Sequence, residues 1–233
     1  MTAEISGARL LDPEVIDDPY PFYGQLRTEA PVWAIPGTDL FTVSTFELLT
    51  EAANRVEDFS SNITCLLYRD DSGLPCRLPF GSAATQALAT ADPPMHALHR
   101  STVFPELVAK RMDELEIDIV ELSDTCVTRA MESESVEFMS AIGSVIPIST
   151  ISRLIGFEDS DLGQLLNAAF DSTAMLGSTL SMDELMGLIA RIGEVQSWIA
   201  DQLSAAMERP GDTLLGAVAR GVVDGVFSAS EAA

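Results

Sequence analysis

Residues 92–100 read Asp92-Pro93-Pro94-Met95-His96-Ala97-Leu98-His99-Arg100. Aspartate before two prolines predicts the start of a helix. An Asp side chain caps free backbone N–H groups, and proline suits the first turn, where its missing N–H would have no partner. Both histidines of the chain fall here, and three readings of them compete. His96 and His99, with Asp92, would offer three ligands to a metal ion, though no recognisable zinc motif accompanies them. Alternatively, both are polar residues at the rim of a core helix. In the third reading, His96 and Arg100, four apart, share one helical face. Together they present an imidazole N–H and a guanidinium fork, a pair suited to one or two carboxylates.

Downstream of Pro93 the pattern is helical. Pro105 ends the helix of residues 93–104 or starts the next element. Over 109–132, Met112, Leu115, Ile119, Leu122 and Cys126 recur at helical spacing and form one apolar face, with Glu114, Asp118 and Glu121 outside it. Residues 138–155 are apolar nearly all round, which predicts a helix buried on most sides, stopped by Gly156. A helix near 159–171 and a link through Gly177 follow. Residues 182–208 then form a long helix that Ser181 and Glu184 open with a capping box. Pro210-Gly211 ends it, and Asp212 is expected to cap a short helix reaching about residue 218. Residues 228–233 resemble another helix start.

Upstream, residues 19–29 predict a helix with Phe22, Tyr23 and Leu26 on one face. Val32–Ile35 and Leu40–Val43 flank Pro36-Gly37-Thr38-Asp39, the pattern of a β-hairpin. Such a hairpin needs a third strand or a helix to pack on. A helix over 45–56 follows. Residues 60–91 are expected to be irregular, with a short helix near Ala83. A loop of that length in a compact domain is usually functional.

Thirteen Lys and Arg face 36 Asp and Glu among the 233 residues, a net charge of −23, and Lys110 is the sole lysine. That field repels phosphate backbones and anionic lipid, so nucleic-acid and membrane partners are not expected. Hydrophobic residues make up 47% of the chain, enough for a core. Three cysteines, Cys65, Cys76 and Cys126, do not form a disulfide framework, and Cys126 falls on an apolar stripe as a small core residue. No basic segment followed by an apolar one opens the chain, and the uncharged stretch from Phe138 to Ser152 is shorter than the ~20 residues that span a bilayer. A cytoplasmic location is expected.

Asp-Pro-Pro-x-His-x-x-x-Arg resembles the C-helix motif of bacterial cytochrome P450 enzymes. Further phrases follow in family order. Asp17-Asp18-Pro19-Tyr20-Pro21-Phe22-Tyr23 resembles the opening before helix A, and the 32–43 hairpin the start of the small sheet. Glu57-Asp58-Phe59-Ser60-Ser61-Asn62 is similar to the close of helix B, and Ala89-Thr90-Ala91 to the end of the B–C loop. Ile151–Gly156 resembles the end of helix E, and Pro210–Leu215 the entry to helix H. The likeness is to soluble, actinobacterial members, and covers about residues 15–231.

The resemblance implies a mainly α chain: a partial cytochrome P450 fold with helices A to H and a small β-hairpin, lacking the I, K and L helices and the heme-cysteine loop. It implies one incomplete domain over 1–233: helix A, hairpin and helix B in 15–62, the B–C loop in 62–92, and a helical region in 93–227. It implies heme as cofactor, with His96 and Arg100 hydrogen-bonding the propionates, and Leu88 and Ala89 on the substrate-pocket wall. Implied partners are a small hydrophobic substrate, a ferredoxin-type electron donor for the complete protein, and the carboxy-terminal half. Ala-Gly-x-x-Thr, Glu-x-x-Arg and the cysteine loop of the family do not occur in these residues, so no catalytic residue and no metal ligand is assigned. The function expected is the amino-terminal part of a heme-thiolate monooxygenase that does not turn over alone and leaves apolar helix faces exposed. The competing expectation is a non-catalytic helical interaction module.

Overall fold

The computed structural model describes residues 5–80, 86–107 and 109–232. The short helix predicted near Ala83 lies outside the described residues. The chain divides into two compact units, one made of the chain up to Asp92 with Asp171–Ala190, the other of Pro93–Phe170 with the chain from Arg191 onward.

In the first unit, α1 (Pro13–Asp17) is capped by Asp12, whose Oδ1 accepts the Glu14 N–H at 3.0 Å. Phe22 and Leu26, one turn apart on α2 (Tyr20–Glu29), point inward and are buried. Strands β1 (Val32–Ala34) and β2 (Phe41–Val43) pair antiparallel with Trp33 opposite Thr42. Strand alternation turns Trp33 to the inside, where its ring meets Phe22 edge-on at 5.8 Å. Val15, Phe22, Leu26, Trp33 and Ile35 form one core. The partner that this hairpin requires is therefore helical. Burying a side chain of the size of Phe22 contributes about 2–3 kcal/mol of transfer free energy. Thr45 caps α3 (Phe46–Asn54) by accepting the Leu48 N–H.

Residues 60–91 depart from the irregular course expected of them. They contain a second hairpin, β3 (Cys65–Arg69) and β4 (Pro75–Pro79), paired from Cys65↔Pro79 to Arg69↔Pro75. Prolines stand at both ends of β4. In a two-stranded sheet each strand is an edge, where a missing N–H is tolerated. Asp70 closes the turn: its Oδ1 accepts the N–H groups of Ser72 and Leu74 and the Ser72 hydroxyl. Gly73 takes the left-handed conformation there, at φ +84°. An Arg77–Asp39 ion pair joins the two hairpins, and the Arg69 N–H donates to the Leu180 carbonyl at 2.7 Å, tying in the 171–190 segment.

The second unit holds α4 (Met95–Val103), a 3₁₀ turn (Phe104–Leu107), α5 (Ala109–Met131), a π-helical turn (Met139–Gly143), α6 (Val145–Ile155), α9 (Leu214–Val223) and α10 (Ala229–Ala232). Two helices, α7 (Leu162–Leu176) and α8 (Met182–Glu208), run through both units. Leu203, Leu215 and Ala219 form the second core, with Ile155, Phe157 and Met207 against it. Cys126 is buried on α5 as its stripe predicts. The cap of α9 is Thr213, not Asp212, and the helix runs to Val223 rather than 218. Thr213 has the extended backbone of a cap, and its Oγ1 accepts the Gly216 N–H at 3.1 Å.

The expected all-round burial of 138–155 is not found. The buried residues of α6 are Ser149 and Ser152, while Phe138 is 59% and Ile151 49% exposed. The helix turns its small face toward its neighbours α5 and α9. Arg153 pairs with Asp118 of α5 at 3.2 Å. On α5, Ile117, Val120 and Val127 are exposed as well.

Gly156 ends α6 at φ +90°, and a Cβ there would lie 2.5 Å from Thr213 Cβ. Gly156→Ala is therefore expected to cost about 2 kcal/mol or more, from left-handed strain plus a displaced cap. Gly193→Ala, with open space around it in α8, is expected to stabilise by about 0.5–1 kcal/mol. Urea midpoints check both, and equal midpoints would sink the assignment. The Ser181–Glu184 capping box forms as predicted: Glu184 Oε2 accepts the Ser181 N–H (2.9 Å) and hydroxyl (2.7 Å). Those bonds, the backbone one first, hold the Glu184 carboxyl below its ordinary value. A lowered folded-state value means a contribution complete above the ordinary glutamate range and lost as pH falls through the lowered one. Glu184→Gln is thus expected to be less stable than wild type at neutral pH and equal to it in acid. A gap that stays constant with pH would refute this.

Candidate functional site

His96 and Arg100 lie one turn apart on α4. His96 is half-buried, and its imidazole makes no hydrogen bond or ion pair among the described residues. Arg100 is exposed, and no described carboxylate pairs with it; its guanidinium carbon sits 3.5 Å from the centroid of the Phe104 ring. Some arginines of this acidic chain pair with acids, while Arg9, Arg27, Arg129 and Arg209, like Arg100, have no ion pair among the described residues. Arg55 binds Glu51 and Asp58, Arg153 binds Asp118, and Arg220 stands 3.7 Å from Glu106. Two donors on one face, neither held by an acid among the described residues, have the chemistry that suits external carboxylates.

His99 has a different setting. Its ring lies edge-on to Phe227 at 6.3 Å, and its Nε2 is buried without a hydrogen-bond partner among the described residues. Among those residues no three His, Cys, Asp or Glu side chains gather where a metal ion would be held.

Asp92 does not cap α4. The helix opens on Pro94, which has no capping side chain, and the Asp92 carboxylate turns back to the end of the segment after α3. Its Oδ2 accepts the Ser60 hydroxyl and its Oδ1 the Ser61 N–H at 3.0 Å, while its own N–H donates to Gln86 Oε1 at 2.9 Å. No local sequence signal announces this clasp, because Phe59-Ser60-Ser61-Asn62 and Asp92 lie some thirty residues apart. Leu88 is half-buried and Ala89 exposed, in a turn that the Thr90 N–H closes on the Ala87 carbonyl. They belong to the first unit, His96 and Arg100 to the second. Cys65 and Cys76 are free thiols on the second hairpin. Burial first, then the Asp70 charge, pushes the Cys76 thiol up, away from the reactive thiolate form.

No protein-family model matches the chain. It is 32% identical over 214 residues to cytochrome P450 144 of Mycobacterium tuberculosis, across 91% of this chain and 49% of that protein. Over nearly its whole length the chain is similar to cytochrome P450 enzymes. A putative cytochrome P450 123 of Mycobacterium bovis is 25% identical over 238 residues, across 97% and 55%. A Mycobacterium marinum cytochrome P450 solved in complex with pseudoionone superposes with a TM-score of 0.73 at 20% identity, covering 100% of this chain and 58% of that one. The chain spans about half the length of the curated P450 relatives it matches. A mainly helical architecture with two small sheets is thus part of the P450 fold. No described helix is long and apolar enough to cross a membrane.

In this family heme is the implied cofactor, and a guanidinium fork and an imidazole, neither engaged by an acid among the described residues, are the donor chemistry its carboxylate edge would need. For the clasp, Asp92→Ala is expected to free the 62–91 excursion and to raise its rate of limited proteolysis several-fold. Asp92→Asn, which keeps one acceptor oxygen, should fall between. Unchanged cleavage in the Ala variant would refute the clasp.

Proposed function

We propose that the chain is the amino-terminal part of a heme-thiolate monooxygenase, and that His96 and Arg100 hold the heme propionates. The observation that carries this is Arg100: an exposed arginine in a chain of net charge −23 with no described carboxylate on it, one turn from an imidazole equally without an acceptor. Bound heme supplies the oxygen chemistry of the family when a cysteine thiolate ligates it. These residues contribute binding and orientation. Arg100 offers in-plane N–H donors and a permanent positive charge. His96 offers an imidazole N–H from the partly buried side of the same face. Leu88 and Ala89 contribute apolar surface to the substrate-pocket wall, which suits a small hydrophobic substrate.

These 233 residues do not turn over by themselves. None of the three cysteines stands in the family's ligand context. Cys126 is buried on a helix, and Cys65 and Cys76 are strand residues. The uncovered apolar faces of α5 and α6 fit the carboxy-terminal half of the fold as a partner. A ferredoxin-type donor serves the complete protein, docking on surfaces outside these acidic residues.

Hemin titration followed by absorbance tests the reading. His96→Ala and Arg100→Ala should each weaken hemin binding about tenfold, as expected for loss of a charge-assisted hydrogen bond. Hemin dimethyl ester should bind wild type no better than hemin binds Arg100→Ala. The reduced carbon monoxide complex should lack a thiolate-type Soret band. Equal affinity of hemin and its ester would overturn the clamp, and a thiolate-type band would overturn the absence of the axial ligand.

A further inference from the structure

We propose that Phe104 is a positioning residue for Arg100: a platform that holds the guanidinium flat against its ring and leaves the guanidinium edge free for a carboxylate of the porphyrin. The inference rests on the propionate reading above. Arg100 Cζ lies 3.5 Å from the Phe104 ring centroid, where Arg9 and Arg55 stand 5.5 and 5.4 Å from Phe22 and Phe59. A separation that short requires face-on contact. The five N–H donors of arginine lie in the guanidinium plane, so face-on stacking consumes none of them. The ring's negative face attracts the cation as well.

The contact is built into the backbone. Phe104 is four residues beyond Arg100, so both side chains lie on one helical face. Phe104 is also the C-cap of α4, and its N–H donates to the Arg100 carbonyl. Arg55 provides an internal comparison. It too is stacked, yet Glu51 and Asp58 occupy its donors at 3.0 and 2.7 Å. The Arg100 edge has no such acid. Arginine loses much rotamer freedom when it is ordered on a ligand. At Arg100 the stacking has already removed part of that freedom before any ligand arrives, so less is lost on binding.

The experiment compares wild type, Phe104→Ala, Phe104→Leu, Phe104→Tyr and Arg100→Ala, with circular dichroism checking that each keeps its helix content. Without hemin, the Arg100 δ-protons should show an upfield ring-current shift by NMR in wild type and Phe104→Tyr. That shift should vanish in the Ala and Leu variants. In hemin titration, Phe104→Ala and Phe104→Leu should weaken binding about two- to fivefold, the scale of an exposed cation–π contact. Phe104→Tyr should bind as wild type does, and Phe104→Leu should have no further effect in an Arg100→Ala background. Absence of the ring-current shift in wild type, hemin affinity unchanged in Phe104→Leu, or an equal loss in the Arg100→Ala background would each overturn the platform. Equal hemin uptake by wild type and Arg100→Ala, or uptake by neither, sinks the propionate reading and with it the role of Phe104 toward the porphyrin. Weakening by Arg100→Ala without weakening by Phe104→Leu leaves the clamp standing and removes the platform alone.

Discussion

One carboxylate closes the excursion between Ser60 and Asp92. Asp92 accepts hydrogen bonds from Ser60 and Ser61, across 32 and 31 residues, and its own N–H is held by Gln86. Between those fixed ends lies the second hairpin, whose own turn is locked by a second aspartate, Asp70. Closing a loop of that length costs entropy that grows only slowly with size, and a few charge-assisted bonds at its neck offset much of it. The residue that the chain delivers immediately after this neck is the first proline before α4.

Those donors matter because of the charge around them. With 36 acidic residues against thirteen basic ones, internal carboxylates are the most available acceptors for any arginine. Arg55 and Arg77 are taken by neighbours within a turn or across hairpins. Arg100 is kept from that fate by its neighbours in sequence. Its own turn holds His96, Ala97, Ser101 and Phe104, none of them acidic, and its face is covered by an aromatic ring. Leaving a cation without an acid in such a chain preserves its edge for an outside ligand. What sets Arg100 apart from the other unpaired arginines is the imidazole of His96 one turn away and the ring of Phe104 on its face.

Much of the fold was legible because its signals are local. The 32–43 hairpin, the Ser181–Glu184 box and the Gly156 stop each rest on a few adjacent residues, and the structure has all three. The errors arose where the deciding partner is distant. Asp92 looks like a cap by position, but Ser60 and Ser61 claim it, and no local pattern announces a contact over thirty residues. The Cys65–Arg69 strand was hidden by the prolines of its partner, which sit at strand ends where they do little harm. Asp212 and Thr213 were equally good caps by composition, and only the backbone conformation separates them. For α6, hydrophobicity was taken as burial, whereas the packed face is the one with serines, since close helix approach favours small side chains. On the candidate site, the i, i+4 spacing of His96 and Arg100 was readable at once. The stacking of Phe104 was not, because Pro105 drew the reading toward a chain break rather than a side-chain contact.

What aims the α4 donors is a contact made by a residue that is not one of them. His99 is turned inward, edge-on to Phe227, and Phe227 is itself buried against Gly221 of α9, where a Cβ would come within 2.5 Å of the ring. Each residue rotates an α-helix by about 100°. With His99 held inward, Arg100 is necessarily carried about 100° round the helix, which brings it to the exposed side. His96, three residues back, comes to rest about 60° from His99 in the same sense, between it and Arg100. That explains why it is half-buried while Arg100 is exposed. A glycine at 221 thus bears on the orientation of α4 without being near it in sequence: a larger residue would push Phe227 out, release His99 and let α4 turn. The orphaned Nε2 of His99 shows that this contact is retained despite an unsatisfied polar atom, a cost that a leucine at 99 would avoid. The rotation of α4 is thus set by packing at His99, Phe227 and Gly221, and the chemistry of the face by the residue one further on.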